Sequence, residues 1–399
     1  MSVSLPPQTA RSSAGDLAQP IIAGVLAALV GYASTFTLVL SGLGHAGATP
    51  EEAASGLMVT CLALGVLNGV VAWRMRIPLS FAWSTPGAAF LLTQGPIEGG
   101  FPAVTGAFVM VGLMVIATGL VGPFARAVAA IPRAIAAAML AGVLLSLCLA
   151  PIHAAAEMPA LALPVLFSWV VGLRFARRYA VPIAVVVAGL MLAFASGPGG
   201  VPIEMAVAMP SFAMPVFTLD ALIRVAIPLY VITMASQNLT GLAVMKANGF
   251  DVGARAPLVQ TGLASAVVAP FAGLTVNLAA ITAAIVAGPE AHPDPNKRWV
   301  APIAAAATYT ALAFLATIAA AFIAASPPLL IQAVAGLALL PSLASALAGA
   351  LDEEEARLPA IVTFATTASG TTIAGIGGAF WGLLAGILLL LILRQRRQQ

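Results

Sequence analysis

The stretch Ser236-Gln237-Asn238-Leu239-Thr240-Gly241 interrupts a long, mainly apolar run at 226–244. Amide side chains carry donors and acceptors that hydrocarbon cannot satisfy. Placing two of them inside an apolar segment costs free energy unless they face a partner, a cavity or a ligand. Two other polar interruptions, Ser84-Thr85-Pro86-Gly87 and Thr275-Val276-Asn277, have the same character. We therefore predict that all three stretches line one buried site.

Composition predicts a membrane protein. Of the 399 residues, 61% are hydrophobic and only 8% are charged, whereas soluble domains are about 25% charged. Runs long enough to cross a bilayer, roughly 20 apolar residues each, recur along the chain. The formal net charge of +3 does not indicate nucleic-acid binding, because the Lys and Arg residues lie between the apolar runs. The expected surroundings are the lipid bilayer.

The sequence contains no pattern typical of catalysis. Cys61 and Cys148 both lie in apolar runs, so we interpret them as packing residues rather than as a disulfide or metal site. No nucleophile–base arrangement, phosphate-binding glycine loop or redox motif occurs. We expect no enzyme activity, no metal and no cofactor. Without a nucleotide-binding motif, we expect no step driven by ATP within this chain.

Two segments differ from the other predicted spans. The segment 77–94 breaks at Ser84-Thr85-Pro86-Gly87, and a hydroxyl residue followed by Pro signals a helix start. The segment 270–287 carries Asn277 where the corresponding cap would stand. Each is predicted to be an extended piece followed by a half-helix that begins near the middle of the membrane. The two half-helices are too short to span the bilayer and are predicted at 87–93 and 278–286.

Counting both broken segments gives fourteen membrane segments. A Pro- and Gly-rich boundary at 197–215 leaves seven on each side. Because seven is odd, the second half must run inverted relative to the first. The predicted fold is an all-α polytopic membrane protein with fourteen transmembrane segments in a seven-plus-seven inverted repeat, in which segments 3 and 10 are half-helices preceded by short extended pieces. Paired broken helices at corresponding places in two halves indicate the binding site of a transporter.

The charge pattern predicts the orientation. With the N-terminus in the cytoplasm, every Lys and Arg except Arg224 falls in a cytoplasmic loop or tail, and this bias sets topology in short loops. Both termini are therefore predicted to be cytoplasmic. The acidic run at 352–355 falls on the same side, where we interpret it as a solvated loop.

The half-helices also predict the chemistry of the site. A helix N-terminus presents unpaired N–H groups and about half a positive charge, so two of them meeting in the membrane favour an anion. No Lys, Arg, Asp or Glu falls in the middle of a predicted span, and a carboxylate there would repel an anion. Aromatic rings beside a few hydroxyl and amide groups suit a small planar molecule with one polar end. The sequence thus favours a negatively charged substrate.

The candidate substrate-binding residues come from four segments. Their structural alternatives stay open at this stage: packing for the aromatic residues, helix capping for the hydroxyl residues and Asn277, and interhelical hydrogen bonds for the other two amides. The candidates are Tyr32, Thr35, Phe81, Ser84, Thr85, Pro86, Gly87, Gln237, Asn238, Thr275, Val276 and Asn277, with Trp83 beside them.

These motifs resemble a known family, the bacterial benzoate transporters, which are benzoate–proton symporters. The resemblance covers nearly the whole chain. It implies import of benzoate or a similar aromatic carboxylate together with a proton, across a bacterial inner membrane. The stretches that carry it are Ser80-Phe81-Ala82-Trp83-Ser84-Thr85-Pro86-Gly87, Ser236-Gln237-Asn238-Leu239-Thr240-Gly241 and Gly273-Leu274-Thr275-Val276-Asn277-Leu278.

That family is similar to the nucleobase, ascorbate and sulfate permeases, which implies a core domain that moves against a gate domain like an elevator. Such relatives are often homodimers through the gate. The implied boundaries are a cytoplasmic tail at 1–19, core at 20–125 and 217–326, gate at 126–196 and 327–394, an inter-repeat linker at 197–216 and a cytoplasmic tail at 395–399.

The match to the uracil-type permeases is partial. Ser80, Phe81 and Ala82 match their extended segment, but Gln237 and Val276 stand where those permeases have substrate-binding glutamates. This departure fits an anion better than a nucleobase, and it leaves no obvious side chain to carry the proton. One hypothesis is that the substrate carboxylate travels with its own proton. The alternatives are a permease of the same architecture for a nucleobase, an inorganic anion or an aliphatic acid, a channel, and, as the weakest, a membrane enzyme.

Overall fold

The computed structural model describes residues 14–122, 132–196, 208–279, 281–373 and 376–397. Several predictions concern positions outside these ranges. They are most of the N-terminal tail, the start of the gate domain at 126–131, the linker at 197–207 and the last two residues of the C-terminal tail.

The first part of the described chain is almost entirely helical. Pro stands at the start of α2 and α6, where its missing N–H has no helical partner to lose. Thr49 and Glu52 add a capping box to α2, which satisfies two further backbone donors. The elements are α1 (Ala14–His45), α2 (Pro50–Met75), β1 (Phe81–Trp83), α3 (Thr85–Leu91), α4 (Gly100–Leu120), α5 (Arg133–Glu157), α6 (Pro159–Phe175) and α7 (Ala180–Ser196).

The second part repeats the sequence of long helix, short strand and short helix. Its elements are α8 (Leu219–Ala247), α9 (Arg255–Val268), β2 (Val276–Leu278), α10 (Ile281–Ala287), α11 (Val300–Ala313), α12 (Ala316–Ala325), α13 (Pro328–Leu351), α14 (Arg357–Ala368), β3 (Thr372–Ile373), β4 (Ile376–Gly377) and α15 (Gly378–Arg397).

Several of these helices can cross a membrane. Six described helices are long and apolar enough to do so, and there are seven if α11 and α12 count as one bent span. The prediction of a helical, multi-pass membrane protein is therefore confirmed. The count of fourteen crossings stays a prediction.

The helices pack in two groups. In the first, α1 and α2 both pack on α11, and α4 packs on α9. In the second, α5 packs on α13 and α14, α14 on α15, and α6 on α7. Helix α1 also touches α7 and α13, so it lies where the two groups meet. Both half-helices contact α1 of the first group.

The two halves of the chain meet in an antiparallel ladder between β1 and β2. One further backbone bond extends the ladder at each end, from Ala279 N–H to the Ser80 carbonyl at 2.9 Å and from Ser84 N–H to the Thr275 carbonyl at 3.0 Å. The ladder brings the two predicted broken segments into direct contact. Its three residue pairs are Phe81 with Leu278, Ala82 with Asn277, and Trp83 with Val276.

The ladder leaves one edge of β1 facing away from β2. In an antiparallel pair, the N–H and C=O groups of alternate residues point to the same side. The bonds at Ser80 and Ser84 therefore direct the polar groups of Phe81 and Trp83, and the N–H of Thr85 at the start of α3, to the opposite side. We call this side the open edge.

Sequence reasoning placed the second half-helix wrongly. Asn277 is not its cap but lies in the middle of β2, and α10 begins at Ile281 rather than at 278. The reason is long-range pairing: Asn277 is held extended by its partner Ala82 across the ladder. The first half-helix also starts earlier than predicted, at Thr85.

Two features of the last third were not predicted. The predicted span at 300–325 bends by 56° between α11 and α12, although neither Pro nor Gly lies at the bend. A short hairpin formed by β3 and β4 joins α14 to α15. Gly370 precedes this hairpin with a φ of 64°, a conformation that glycine adopts without steric cost.

Candidate functional site

The open edge of β1 is held at its first residue by Asn68 of α2. The side-chain Oδ1 of Asn68 accepts the Phe81 N–H at 3.0 Å, and Nδ2 donates to the Phe81 carbonyl at 3.1 Å. Nδ2 also donates to the Leu64 carbonyl at 2.9 Å. One fully buried amide thus takes the place of a neighbouring strand, which a buried backbone requires.

The outer edge of β2 is held by two side chains. Ser265 Oγ on α9 accepts the Val276 N–H at 2.8 Å and lies 3.1 Å from the Val276 carbonyl. Asn238 Oδ1 on α8 accepts the Leu278 N–H at 3.0 Å. The N–H groups of both β2 residues that face away from β1 therefore have an acceptor, whereas on the open edge of β1 only the N–H of Phe81 has one.

Most backbone N–H groups at the start of α3 already have an acceptor. Ser84 Oγ accepts the Gly87 N–H at 3.1 Å and lies 3.2 Å from Thr233 Oγ1 of α8. Pro86 has no N–H to offer. Among the described residues, none accepts the N–H of Thr85. The half-helix therefore presents one free backbone donor, rather than several, beside its positive end.

Helix α8 changes its winding where the polar stretch occurs. The residues Met234–Asn238 form a π-helical stretch, a local widening that is frequent at functional sites. Asn238 on this stretch is used to hold β2. The neighbouring amide of Gln237 is 9% exposed and bonds to none of the described residues. The two adjacent amides thus differ in their availability for a ligand.

Aromatic rings form a wall beside β1. Tyr32 stacks on Phe36 with ring centroids 5.4 Å apart, and it meets the edge of Trp83 at 5.9 Å. Tyr309 of α11 approaches Trp83 from another direction at 6.0 Å. Trp83 Nε1 donates to Thr35 Oγ1 at 2.8 Å, which fixes the indole on α1. We call Tyr32, Phe36, Trp83 and Tyr309 the aromatic wall.

Several polar groups in this region have no partner. The Tyr32 hydroxyl and Thr275 Oγ1 are buried and bond to no described residue. The backbone N–H groups of Trp83 and Thr85 on the open edge and the Gln237 amide also bond to no described residue, although Thr85 is only partly buried. An unsatisfied buried polar group costs about 1–3 kcal/mol, so a cluster of them calls for an explanation such as a bound ligand or water.

The structure brings the predicted residues together. Tyr32 and Thr35 lie beside Trp83, and the Ser84–Gly87 stretch adjoins the Thr275–Asn277 stretch across the ladder. With its amide oxygen turned towards Ser84, Asn277 accepts that N–H at 3.1 Å. A binding role for these residues stays a prediction. All twelve candidates are buried except Thr35 and Thr85, which are partly exposed.

Sequence reasoning missed four residues that shape the site. Asn68 was detectable, because it is a lone amide in the apolar run 54–73, the same signal that identified Gln237. Thr60, whose Oγ1 accepts the Leu274 N–H at 3.1 Å, and Ser265 give a weaker signal, because hydroxyl residues are common in spans and usually bond to their own helix. Tyr309 was not identifiable without the fold.

The site is uncharged but rich in hydrogen-bond donors. The side chains described above are aromatic, hydroxyl or amide groups, and none of them carries a full charge. Among the described residues, no group of three or more His, Cys, Asp or Glu could hold a metal ion. Free N–H and O–H groups in a region shielded from water attract an anion, and the aromatic wall offers a planar apolar surface.

Comparison with known proteins gives consistent results. A family model described as benzoate membrane transport protein matches residues 16–392. The chain is 38% identical to inner membrane protein YdcO of Escherichia coli (strain K12) over 372 residues, which cover 92% of this chain and 93% of that protein. It is 31% identical to the benzoate membrane transport protein of Acinetobacter baylyi over 373 residues, covering 93% and 94% respectively.

Solved structures show the same fold at low sequence identity. The transmembrane domain of a cyanobacterium bicarbonate transporter, BicA, aligns with a TM-score of 0.59 and 16% identity, covering 95% of this chain and 97% of that one. The overall structure of SLC26A9 aligns with a TM-score of 0.62 and 14% identity, covering 95% of this chain and 66% of that one.

Proposed function

Since this chain belongs to the benzoate membrane transport family, we propose that it is a secondary active transporter that imports benzoate or a similar aromatic carboxylate. The observation that carries the proposal is the open edge of β1, where two free N–H groups adjoin the aromatic wall. A benzoate-like molecule has a carboxylate at one end and a ring at the other. The open edge matches the carboxylate, and the aromatic wall matches the ring.

The carboxylate is proposed to bind at the open edge. The N–H groups of Trp83 and Thr85 supply two donors, and the unpartnered hydroxyl of Tyr32 supplies a third. Hydrogen bonds to an ionised group are stronger than neutral ones. The positive end of α3 adds to the attraction. The ring then packs against the aromatic wall, and Gln237 is proposed to bind the substrate from α8.

The proton is proposed to travel with the substrate. None of the described site residues is a carboxylate or a histidine, so none changes its charge readily near neutral pH. A carboxylate entering a region of low dielectric becomes a stronger base because burial disfavours its charged form. The substrate itself can therefore take up the proton during translocation, as the absence of glutamate at Gln237 and Val276 suggests.

Transport is proposed to proceed by alternating access, with the group around the ladder moving as a core against the group around α5 and α13. The proposed core spans 20–125 and 217–326, and the proposed gate spans 126–196 and 327–394. Assembly is proposed as a homodimer through the gate, in a bacterial inner membrane with both termini cytoplasmic.

A second candidate is a permease of the same fold for another small anion. It is favoured by the shared fold with a bicarbonate transporter, and a nucleobase permease is a less favoured variant. The aromatic wall is the reason for preferring an aromatic acid, because a small inorganic anion needs no such surface.

Uptake into proteoliposomes tests the proposal. Labelled benzoate should accumulate when an inward proton gradient is applied, and unlabelled benzoate trapped inside should drive counterflow, which a channel does not support. A thermal-shift comparison of benzoate, salicylate, uracil, bicarbonate and sulfate separates the candidate substrates. No gradient-dependent benzoate uptake, together with stabilisation by bicarbonate or sulfate alone, would replace the first candidate by the second.

A further inference from the structure

Arg298 is a buried cation at the C-terminal end of the half-helix α10. Arg298 is only 7% exposed to solvent. Nη1 donates to the carbonyl of Ala287, the last residue of α10, at 2.8 Å. Nε donates to the His292 carbonyl at 2.8 Å, and Nη2 to the Pro293 carbonyl at 3.3 Å. The planar guanidinium thereby fastens the end of α10 to the loop that follows it.

The charge of Arg298 has no acidic partner. Among the described residues, no carboxylate lies within ion-pair distance of it, whereas Arg224 of α8 pairs with Asp220 of the same helix at 3.4 Å. A buried cation without a counter-charge is costly. The carbonyl groups at a helix C-terminus carry a partial negative charge that offsets part of this cost. No ion pair with a described residue neutralises the rest of the charge.

We propose that Arg298 is a positioning residue that raises the affinity of the site for an anion without touching it. It acts in two ways: it fixes the half-helix α10 behind β2, and its charge makes the electrostatic potential at the ladder more positive. The inference rests on the proposed binding of an anionic substrate at that ladder. It concerns a residue outside the three polar stretches and at the far end of the half-helix.

The size of the effect follows from the length of α10. Seven helical residues at about 1.5 Å each, plus the reach of the side chain, place the guanidinium roughly 13 Å from the start of the helix. The proposed carboxylate site lies farther away, on the far side of β1, at about 20 Å once the spacing of the strands is added. At an effective dielectric constant of about 20, one charge at about 20 Å changes the affinity for a monovalent anion roughly fourfold. Because Arg298 is almost inaccessible to water, salt screens it little.

Two variants separate the charge from the geometry. Arg298→Gln removes the charge but retains a hydrogen-bond donor. Arg298→Lys retains the charge but loses the planar set of N–H donors that the guanidinium provides. The KM and the maximal rate of labelled benzoate uptake are measured in proteoliposomes, with thermal unfolding as a check on folding. We expect Arg298→Gln to raise the KM about fourfold, and Arg298→Lys to keep it within about twofold of the wild type. Equal KM values for Arg298→Gln and the wild type, or equal losses in both variants, would overturn the proposal.

Lys246 provides the matched control, because it is an exposed cation at the end of α8. Lys246→Gln removes the same charge and should leave the KM within about twofold, since exposed charges are screened. If the wild type binds bicarbonate or sulfate but not benzoate, the proposed substrate fails, and the same variants are compared by thermal shift with the anion that does bind. If the wild type binds none of these anions, the proposal for Arg298 fails as well.

Discussion

The adjacent amides of Gln237 and Asn238 should respond differently to the same substitution. Asn238→Leu removes the acceptor of the Leu278 N–H. A buried donor without an acceptor lowers the free energy of unfolding by about 1–3 kcal/mol. Gln237→Leu breaks no bond to a described residue, so its effect on stability should stay within about 0.5 kcal/mol. If Gln237 binds the substrate carboxylate, the variant loses a hydrogen bond to a charged group, worth about 1.5–3 kcal/mol. That loss raises the KM roughly 10- to 150-fold.

Thermal unfolding of the purified protein and the KM of benzoate uptake are the two measurements. Gln260 offers a matched control, because its Oε1 is also buried and unbonded but lies on α9, more than a helical turn from Ser265. Gln260→Leu should leave the KM unchanged and should not lower the free energy of unfolding. The reasoning is refuted if Gln237→Leu destabilises the protein as much as Asn238→Leu does and leaves the KM unchanged.

Three further substitutions test other contacts. Tyr32→Phe removes a hydroxyl that has no described partner, so the melting temperature should hold while the KM for benzoate rises by up to about tenfold; an unchanged KM would exclude this hydroxyl from binding. Ser265→Ala leaves the N–H and C=O of Val276 without a side-chain partner and should lower the free energy of unfolding by about 2–4 kcal/mol. Chemical denaturation measures this change, and a near-neutral result would contradict the role given to Ser265. Gly56→Ala would place a Cβ against the Ala272 carbonyl oxygen and should abolish folded yield on size-exclusion chromatography, whereas Gly44→Ala, where the space is open, should fold normally.

The parts of the site that depend on local signals were predictable from the sequence. The Ser-Thr-Pro-Gly stretch specifies a helix start through its own hydroxyl and proline, and in the structure Ser84 is the cap and the helix begins at Thr85, two residues earlier than predicted. The amides at 237–238 were recognisable because apolar surroundings make any amide conspicuous. These signals need no knowledge of the fold.

The parts that depend on distant partners were not predictable. Asn277 resembles a cap in sequence, but its conformation is decided by Ala82 in the other half of the chain. The sequence also does not show that Asn238 bonds to β2 while Gln237 bonds to no described residue. Both side chains are oriented by the π-helical stretch, and packing against other parts of the chain determines where that stretch forms. The roles of Asn68 and Ser265 exist only once the strands they hold are in place.

The ladder between β1 and β2 has a consequence for biogenesis. Phe81 leaves the ribosome long before its partner Leu278 has been translated. During that interval the first strand has no neighbour for the backbone groups of Ala82, and exposing such groups to lipid costs several kcal/mol each. The nascent chain must therefore keep this segment shielded, within the translocon or at the bilayer surface, until the second half arrives. The first half expressed by itself should leave this segment accessible to water-soluble labels, and supplying the second half as a separate polypeptide should protect it.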